Sequence, residues 1–165
     1  MLVLGIDPGT ATTGYGLVRQ RQDGTLEQLV HGVILTPANT PMPERLAKLY
    51  AELQELILLH RPAEAAVEKL FFQKNVKTAL SVGQARGVVL LALAQSGLSI
   101  GEYTPNEIKQ AVTGYGSAGK SQVQEMVKML LGLPERPKPD DAADALAVAI
   151  CHLHSSRYQK LMEEN

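Results

Sequence analysis

LVLGIDPGTATTGYGLVR, residues 2–19, decides the fold. An apolar run ends at Asp7, Pro8-Gly9-Thr10 breaks it, and GYGLVR at 14–19 follows at hairpin distance, which predicts two antiparallel strands. A third strand over 28–35, after the turn signal Asp23-Gly24, puts three strands in succession before any helix.

The segments that follow alternate. Between 43 and 60, Leu46, Leu49, Leu53, Leu56 and Ile57 recur on one helical face, and Arg61-Pro62 ends the pattern. AAVE at 65–68 reads as a short strand buried beside the first, with an acid at its end. Asn75 caps a helix to about residue 96, with Gly97 as its stop, and 98–103 returns as a fifth strand. Thr104-Pro105-Asn106-Glu107 has the spacing of a capping box and opens a short helix that stops near Gly114. Helices are predicted over 120–131 and, after a proline-rich linker at 133–139, from Asp140 or Asp141 past Ile150. Three strands, then helix and strand in alternation, then helices, make an α/β sheet with a mixed edge.

The chain has 165 residues, 45% of them apolar and 20% charged, which suits one globular domain over 1–165 with a real core. Sixteen basic residues against 17 acidic ones leave a formal charge of −1, so no global positive excess draws it to a polyanion. Locally the balance differs. Residues 69–120 carry +4, while 1–68 carry −3 and 121–165 carry −2, which makes the middle of the chain the candidate DNA face. Cys151 is the single cysteine, so neither an intrachain disulfide nor a Cys/His zinc quartet can form. The N-terminus lacks a signal-peptide pattern, and apolar runs such as 88–94 fall short of the roughly 20 residues a bilayer requires, so a cytoplasmic protein is expected.

Four carboxylates gain meaning from this layout. Asp7 ends strand one, Glu68 ends strand four, and Asp141 and Asp144 stand one turn apart at the start of the last helix. If strands one and four are neighbours where the sheet order reverses, Asp7 and Glu68 lie side by side in the crevice where such sheets bind ligands. A helix packed across that edge could aim Asp141 and Asp144 at the same point. Converging acids repel one another unless a cation offsets them. Oxygen ligands favour Mg²⁺ or Mn²⁺, and two such ions about 3.5–4 Å apart can hold the attacking water and the leaving oxygen of a phosphodiester in line. Each acid alone has a plainer account: Asp7 as a turn residue, Asp141 and Asp144 as favourable charges at a helix N-terminus, Asp140 as an N-cap. The coincidence of four supports the metal-site reading.

From GIDPGTATTGYG through GQARG and GSAGKSQVQ to DDAADALAVAICH, the chain resembles the RuvC-type Holliday junction resolvases of the ribonuclease H-like superfamily. The resemblance implies a mixed five-stranded sheet, strands one to three antiparallel and four and five parallel to the first, flanked by helices. It implies a Mg²⁺-dependent endonuclease that nicks opposed strands of a four-way DNA junction, acts as a homodimer and works with the branch-migration proteins RuvA and RuvB. By motif, the catalytic and metal-binding acids are Asp7, Glu68, Asp141 and Asp144. Asp140 is an additional acid, and an Asp140/Asp144 pair is the alternative reading of DDAAD.

Other features take their reading from the resemblance. GYGSAGKS at 114–121 satisfies the P-loop pattern letter for letter, but a P-loop must follow a buried strand, and this segment follows a helix. It remains a glycine-rich loop opening a helix, suited to a DNA phosphate, and the resemblance places Lys120 and Lys109 beside the scissile phosphate. Lys74 and Arg86 join them in the basic middle. Of Phe71 and Phe72 in the loop after Glu68, core packing is the default, while the resemblance favours Phe71 for stacking on an unpaired base. Gly83, Ala85 and Gly87 suit close helix packing, inside the domain or, as the resemblance favours, across a two-fold dimer. His152 and His154 lie too far along the last helix to join the acids and read as structural or solvent-facing. GIDxGT also opens the phosphate loop of actin-like ATPases and sugar kinases, but those need a second domain for which 165 residues leave no room. A non-catalytic junction-binding module would lack an acid, and none is missing.

Overall fold

The computed structural model describes residues 1–69 and 75–163, the side chains of 157–163 excepted. Phe71 and Lys74 lie outside the described residues. The elements are β1 (Leu2–Asp7), β2 (Thr12–Gln20), β3 (Leu26–Leu35), α1 (Met42–His60), β4 (Glu64–Glu68), α2 (Val76–Gln95), β5 (Ser99–Tyr103), α3 (Pro105–Thr113), α4 (Lys120–Leu131) and α5 (Asp140–Glu163). They form the predicted mixed sheet in the order β3-β2-β1-β4-β5. β1 to β3 pair antiparallel, while β4 is parallel to β1 and β5 to β4. β2 and β3 exceed the apolar stretches that announced them, because the hairpin ladder runs on through polar pairs to Gln20↔Leu26.

Period-two alternation divides the sheet into two faces. Leu4, Ile6, Leu17, Ile34, Ala65 and Val67 bury against α1 and α2. Val3, Val18 and Ala66 bury against α3, α4 and α5. Since side chains two apart share a face, Asp7 lies on the side of Val3, and Glu68 on the side of Ala66. Both acids therefore face the α5 layer.

Glycines let α5 lie close to that face. A Cβ on Gly5 would stand 2.1 Å from the Ala145 carbonyl oxygen, and one on Gly14 would stand 1.9 Å from the Asp141 carbonyl oxygen. At the other side α5 is braced by His152, whose Nε2 meets Glu64 of β4 at 2.5 Å and whose Nδ1 meets the Tyr103 hydroxyl of β5 at 2.8 Å. His154 Nδ1 lies 3.0 Å from the Ala111 carbonyl oxygen. Both histidines are structural, as their distance from the acids suggested.

The local stops and starts behave as read, with one correction. Thr104 and Glu107 form a reciprocal capping box, and the Asn75 side chain accepts from Lys77 N. Asp140, however, is not the N-cap of α5. The Pro139 carbonyl accepts from the Ala142 and Ala143 amides at 3.0 and 3.1 Å, so Pro139 holds the cap position and Asp140 is the first helical residue.

Apolar runs within α2 stay short, as expected; the 20-residue helix nevertheless contains an 18-residue stretch of mean hydropathy 1.3, long and apolar enough to cross a membrane by length and composition alone, a test that core helices of soluble proteins also pass. The scattered Lys77 and Arg86 are outweighed over the whole helix. Ala85, Val89, Ala92 and Leu93 bury against the sheet, whereas Val76, Leu80 and Leu91 are exposed. A Cβ on Gly87 would meet nothing within 4 Å. Among the described residues, nothing packs closely against Gly87.

Candidate active site

The parallel register that sets Ile6 opposite Val67 carries Asp7 and Glu68 to neighbouring strand ends. The charge of Glu68 therefore acts directly on the Asp7 carboxyl. The first turn of α5, lying over Gly14, brings in the other two acids. Carboxylate oxygens of Asp7, Asp141 and Asp144 all lie within 4.8 Å of one another. Glu68 adjoins this group through Asp7 and faces the lysines: it lines a cavity of about 250 Å³ with Lys109, Lys120 and Asp144, walled by Ile108 and Val123. Asp7 of β1 thus meets Asp141 and Asp144 of α5, while Glu68 of β4 stands beside Asp7 on the lysine side rather than within that close group.

Electrostatics follow from burial. Desolvation, then the charge of Glu68, pushes the Asp7 carboxyl well above the usual carboxylate range. Burial likewise raises Glu68, against the lowering effects of the Asp7 side chain and the charges of Lys109 and Lys120. Asp144 is raised by burial, partly offset by Lys120. Lys120 Nζ lies 3.4 Å from Asp140 Oδ2 and 3.6 Å from Asp144 Oδ2. The two lysines, Lys109 and Lys120, cannot neutralise this many carboxylates. The donor set is all oxygen, with no histidine or cysteine in the group, and fits a hard divalent cation.

A pH dependence results. Where carboxyl pKa values are raised, the folded chain binds more protons than the unfolded chain, so metal-free stability falls as pH rises from the ordinary values of 3.8 for Asp7 and 4.5 for Glu68. Thermal melts in EDTA should drop between about pH 5 and about pH 8, and Mg²⁺ should stabilise most at the upper end. A metal-free melting temperature that rises over that range would contradict the protonation assigned to the cluster.

Arg86 stands apart from the cavity lining. It is ion-paired with Glu102 on β5, and its Nε donates to the Glu68 carbonyl at 3.4 Å. In this arrangement it steadies the strand end that carries Glu68. The Gly114–Gly119 loop connects α3 to α4, its first glycine ending one helix at φ 77° and its last capping the next, with no strand before it. The P-loop pattern is thus a coincidence of letters.

Sequence reasoning missed the supports of the site: Gly5 and Gly14, on which α5 rests, and the Glu64–His152–Tyr103 brace. The glycines had a signal, since LGID and TGYG place them at inward positions of β1 and β2. The brace had none, because its members are 39 to 88 residues apart in sequence.

A ribonuclease H-like sheet whose central strand ends meet acids from a crossing helix defines the class of metal-dependent phosphodiester nucleases. The family profile described as "Crossover junction endodeoxyribonuclease RuvC" matches residues 3–152, and the chain belongs to the RuvC family. It is 54% identical over its whole length to the "Crossover junction endodeoxyribonuclease RuvC" of Syntrophomonas wolfei, covering 95% of that protein. To the protein of the same name from Desulfitobacterium hafniense it is 60% identical over 155 residues, 94% of this chain and 93% of the other. The structure of Thermus thermophilus RuvC "in complex with Holliday junction substrate" superposes with a TM-score of 0.91 at 38% identity, covering 96% of each chain.

Proposed function

We propose that the chain resolves Holliday junctions as a structure-selective DNA endonuclease, in recombination and DNA repair, with residues 1–165 forming a single nuclease domain. The observation that carries this is the convergence of Asp7, Glu68, Asp141 and Asp144, from three separate elements, beside a cavity lined by two lysines. The cofactor is Mg²⁺, two ions per subunit with Mn²⁺ as a substitute, held by these four acids. Bound there, the metal would supply Lewis-acid stabilisation of the phosphoryl oxygens and lower the pKa of the attacking water. Lys109 and Lys120 hold the scissile phosphate and stabilise charge that develops on it. Lys74 and Arg86 extend the basic face, and Phe71 stacks on an unpaired base at the branch. Hydrolysis leaves a 5′-phosphate and a 3′-hydroxyl.

A synthetic four-way junction, a plain duplex and a flap, each incubated with Mg²⁺ or with EDTA, test this reading. Paired symmetric nicks in the junction alone, and only with metal, are expected; equal cutting of all three substrates would overturn junction selectivity.

The partners are four-way junction DNA, a second copy of the chain, and RuvA and RuvB, in the cytoplasm. The uncovered apolar face of α2, with Val76, Leu80, Gly87 and Leu91, supports the homodimer: a face of this kind is unfavourable in water, and two-fold pairing covers it while matching the near two-fold symmetry of a junction. Leu80→Glu combined with Leu91→Glu should convert the dimer to a monomer in sedimentation and abolish paired nicking. A variant that sediments as a dimer would place the interface elsewhere.

A further inference from the structure

We propose that Asp140 is a positioning residue for Lys120: it holds the ammonium at the rim of the acidic cluster and so keeps it from competing with the divalent cation for Asp144. This rests on the reading that the cluster binds that cation.

Asp140 belongs to neither of the groups already described. It is absent from the set of oxygens lying within 4.8 Å of one another, and it does not line the cavity that holds Lys109 and Lys120. Its two oxygens nevertheless have defined tasks. Oδ1 accepts a hydrogen bond from Gln124 Nε2 at 3.0 Å, and Oδ2 faces Lys120 Nζ at 3.4 Å. Gln124 stands one turn after Lys120 on α4, so the amide orients the carboxylate toward the lysine on the same helix face. The first turn of α5 is thereby tied to the first turn of α4 by the acid that the family's D-x-x-D pattern does not require.

The arrangement is too exposed to be chiefly a stabilising device. The Lys120 and Asp140 side chains are 58% and 65% accessible, and exposed ion pairs contribute little to folding. Its consequence is for Asp144. Lys120 lies almost equally near Asp140 and Asp144, so the two acids share one ammonium. Without Asp140, Lys120 would have Asp144 as its sole carboxylate among these contacts, and would sit on an oxygen that a divalent cation needs. With Asp140 present, a cation arriving at Asp144 displaces Lys120 onto a neighbour rather than into solvent. The ammonium remains at the mouth of the cavity, where the phosphate is to be held. Asp140 therefore serves both metal entry and lysine placement, acting through Lys120 in each.

The test is a cycle of Asp140→Asn and Lys120→Met, singly and combined, with Asp140→Glu as the conservative control. Mn²⁺ binding to the free protein is followed by electron paramagnetic resonance, and junction cleavage is measured beside it. Asp140→Asn should raise the Mn²⁺ midpoint roughly 2- to 5-fold, the scale of one exposed ion pair. The same substitution in the Lys120→Met background should leave the midpoint unchanged, and Asp140→Glu should restore the native value. A shift of equal size in both backgrounds would overturn the proposal and make Asp140 a direct contributor to the metal site; no shift in either would overturn it as well. Failure of the underlying reading looks different: Asp7→Asn would then leave Mn²⁺ binding intact.

Discussion

Asp7→Asn is expected to abolish cleavage of a four-way junction in Mg²⁺ while leaving junction binding nearly unchanged. Asp7 belongs to both halves of the cluster: it feels the charge of Glu68 and shares the tight oxygen group with Asp141 and Asp144. The amide keeps the shape of the side chain but removes the charge that a divalent cation requires. A loss of about three orders of magnitude or more in single-turnover rate is expected, at least that of removing a principal charge-stabilising group from an active site. The same substitution relieves repulsion among buried acids. In EDTA its melting temperature should therefore rise, by about 2–4 °C for each kcal/mol relieved, and Mg²⁺ should no longer stabilise the variant. Cleavage at the native rate would refute the assignment of the site, and a lower melting temperature in EDTA would refute its electrostatics.

Gly14→Ala should be the most damaging substitution that alters no functional group. The added methyl would meet the Asp141 carbonyl oxygen at 1.9 Å and its carbon at 2.4 Å, both backbone atoms that cannot turn aside. Either β2 or the first turn of α5 must shift. Overpacking against a rigid neighbour costs about 3 kcal/mol. A displacement of roughly 1 Å in the acid-bearing turn is enough to lower the rate about 100-fold. Gly5→Ala, against Ala145 and Ala149, should destabilise similarly by pressing on α5 one to two turns farther along. Denaturant melts and single-turnover cleavage of both variants check this; a native-like rate for Gly14→Ala would mean that α5 has freedom the packing does not suggest.

The element order was legible because each segment carries its own punctuation. Pro8-Gly9 after β1, Arg61-Pro62 after α1, and the Thr104–Glu107 box each act through local backbone chemistry, and the folded chain preserves them. The four acids were legible for a related reason: a strand end or a helix start is a position, and parallel winding places such positions together. Where local chemistry offered two solutions, reading failed. Asp140 looks like an N-cap by residue type, yet Pro139 takes that place and Asp140 is bound by Gln124 and Lys120 from α4. α2, by contrast, has only short apolar runs, as read, yet over its whole length it remains apolar enough to leave one face uncovered.

By itself, the sequence determined the sheet, the family, and the places of Asp7 and Glu68 at strand ends and of Asp141 and Asp144 at a helix start, because strand periodicity, caps and turns are set by neighbouring residues. Only the tertiary structure decided how close those acids stand, that Lys120 is divided between Asp140 and Asp144, and that Gly5 and Gly14 make the bed on which α5 lies. The physical reason is distance along the chain. A contact such as Glu64 with His152 joins residues 88 apart, and packing of the whole core settles which of many candidate partners a side chain meets.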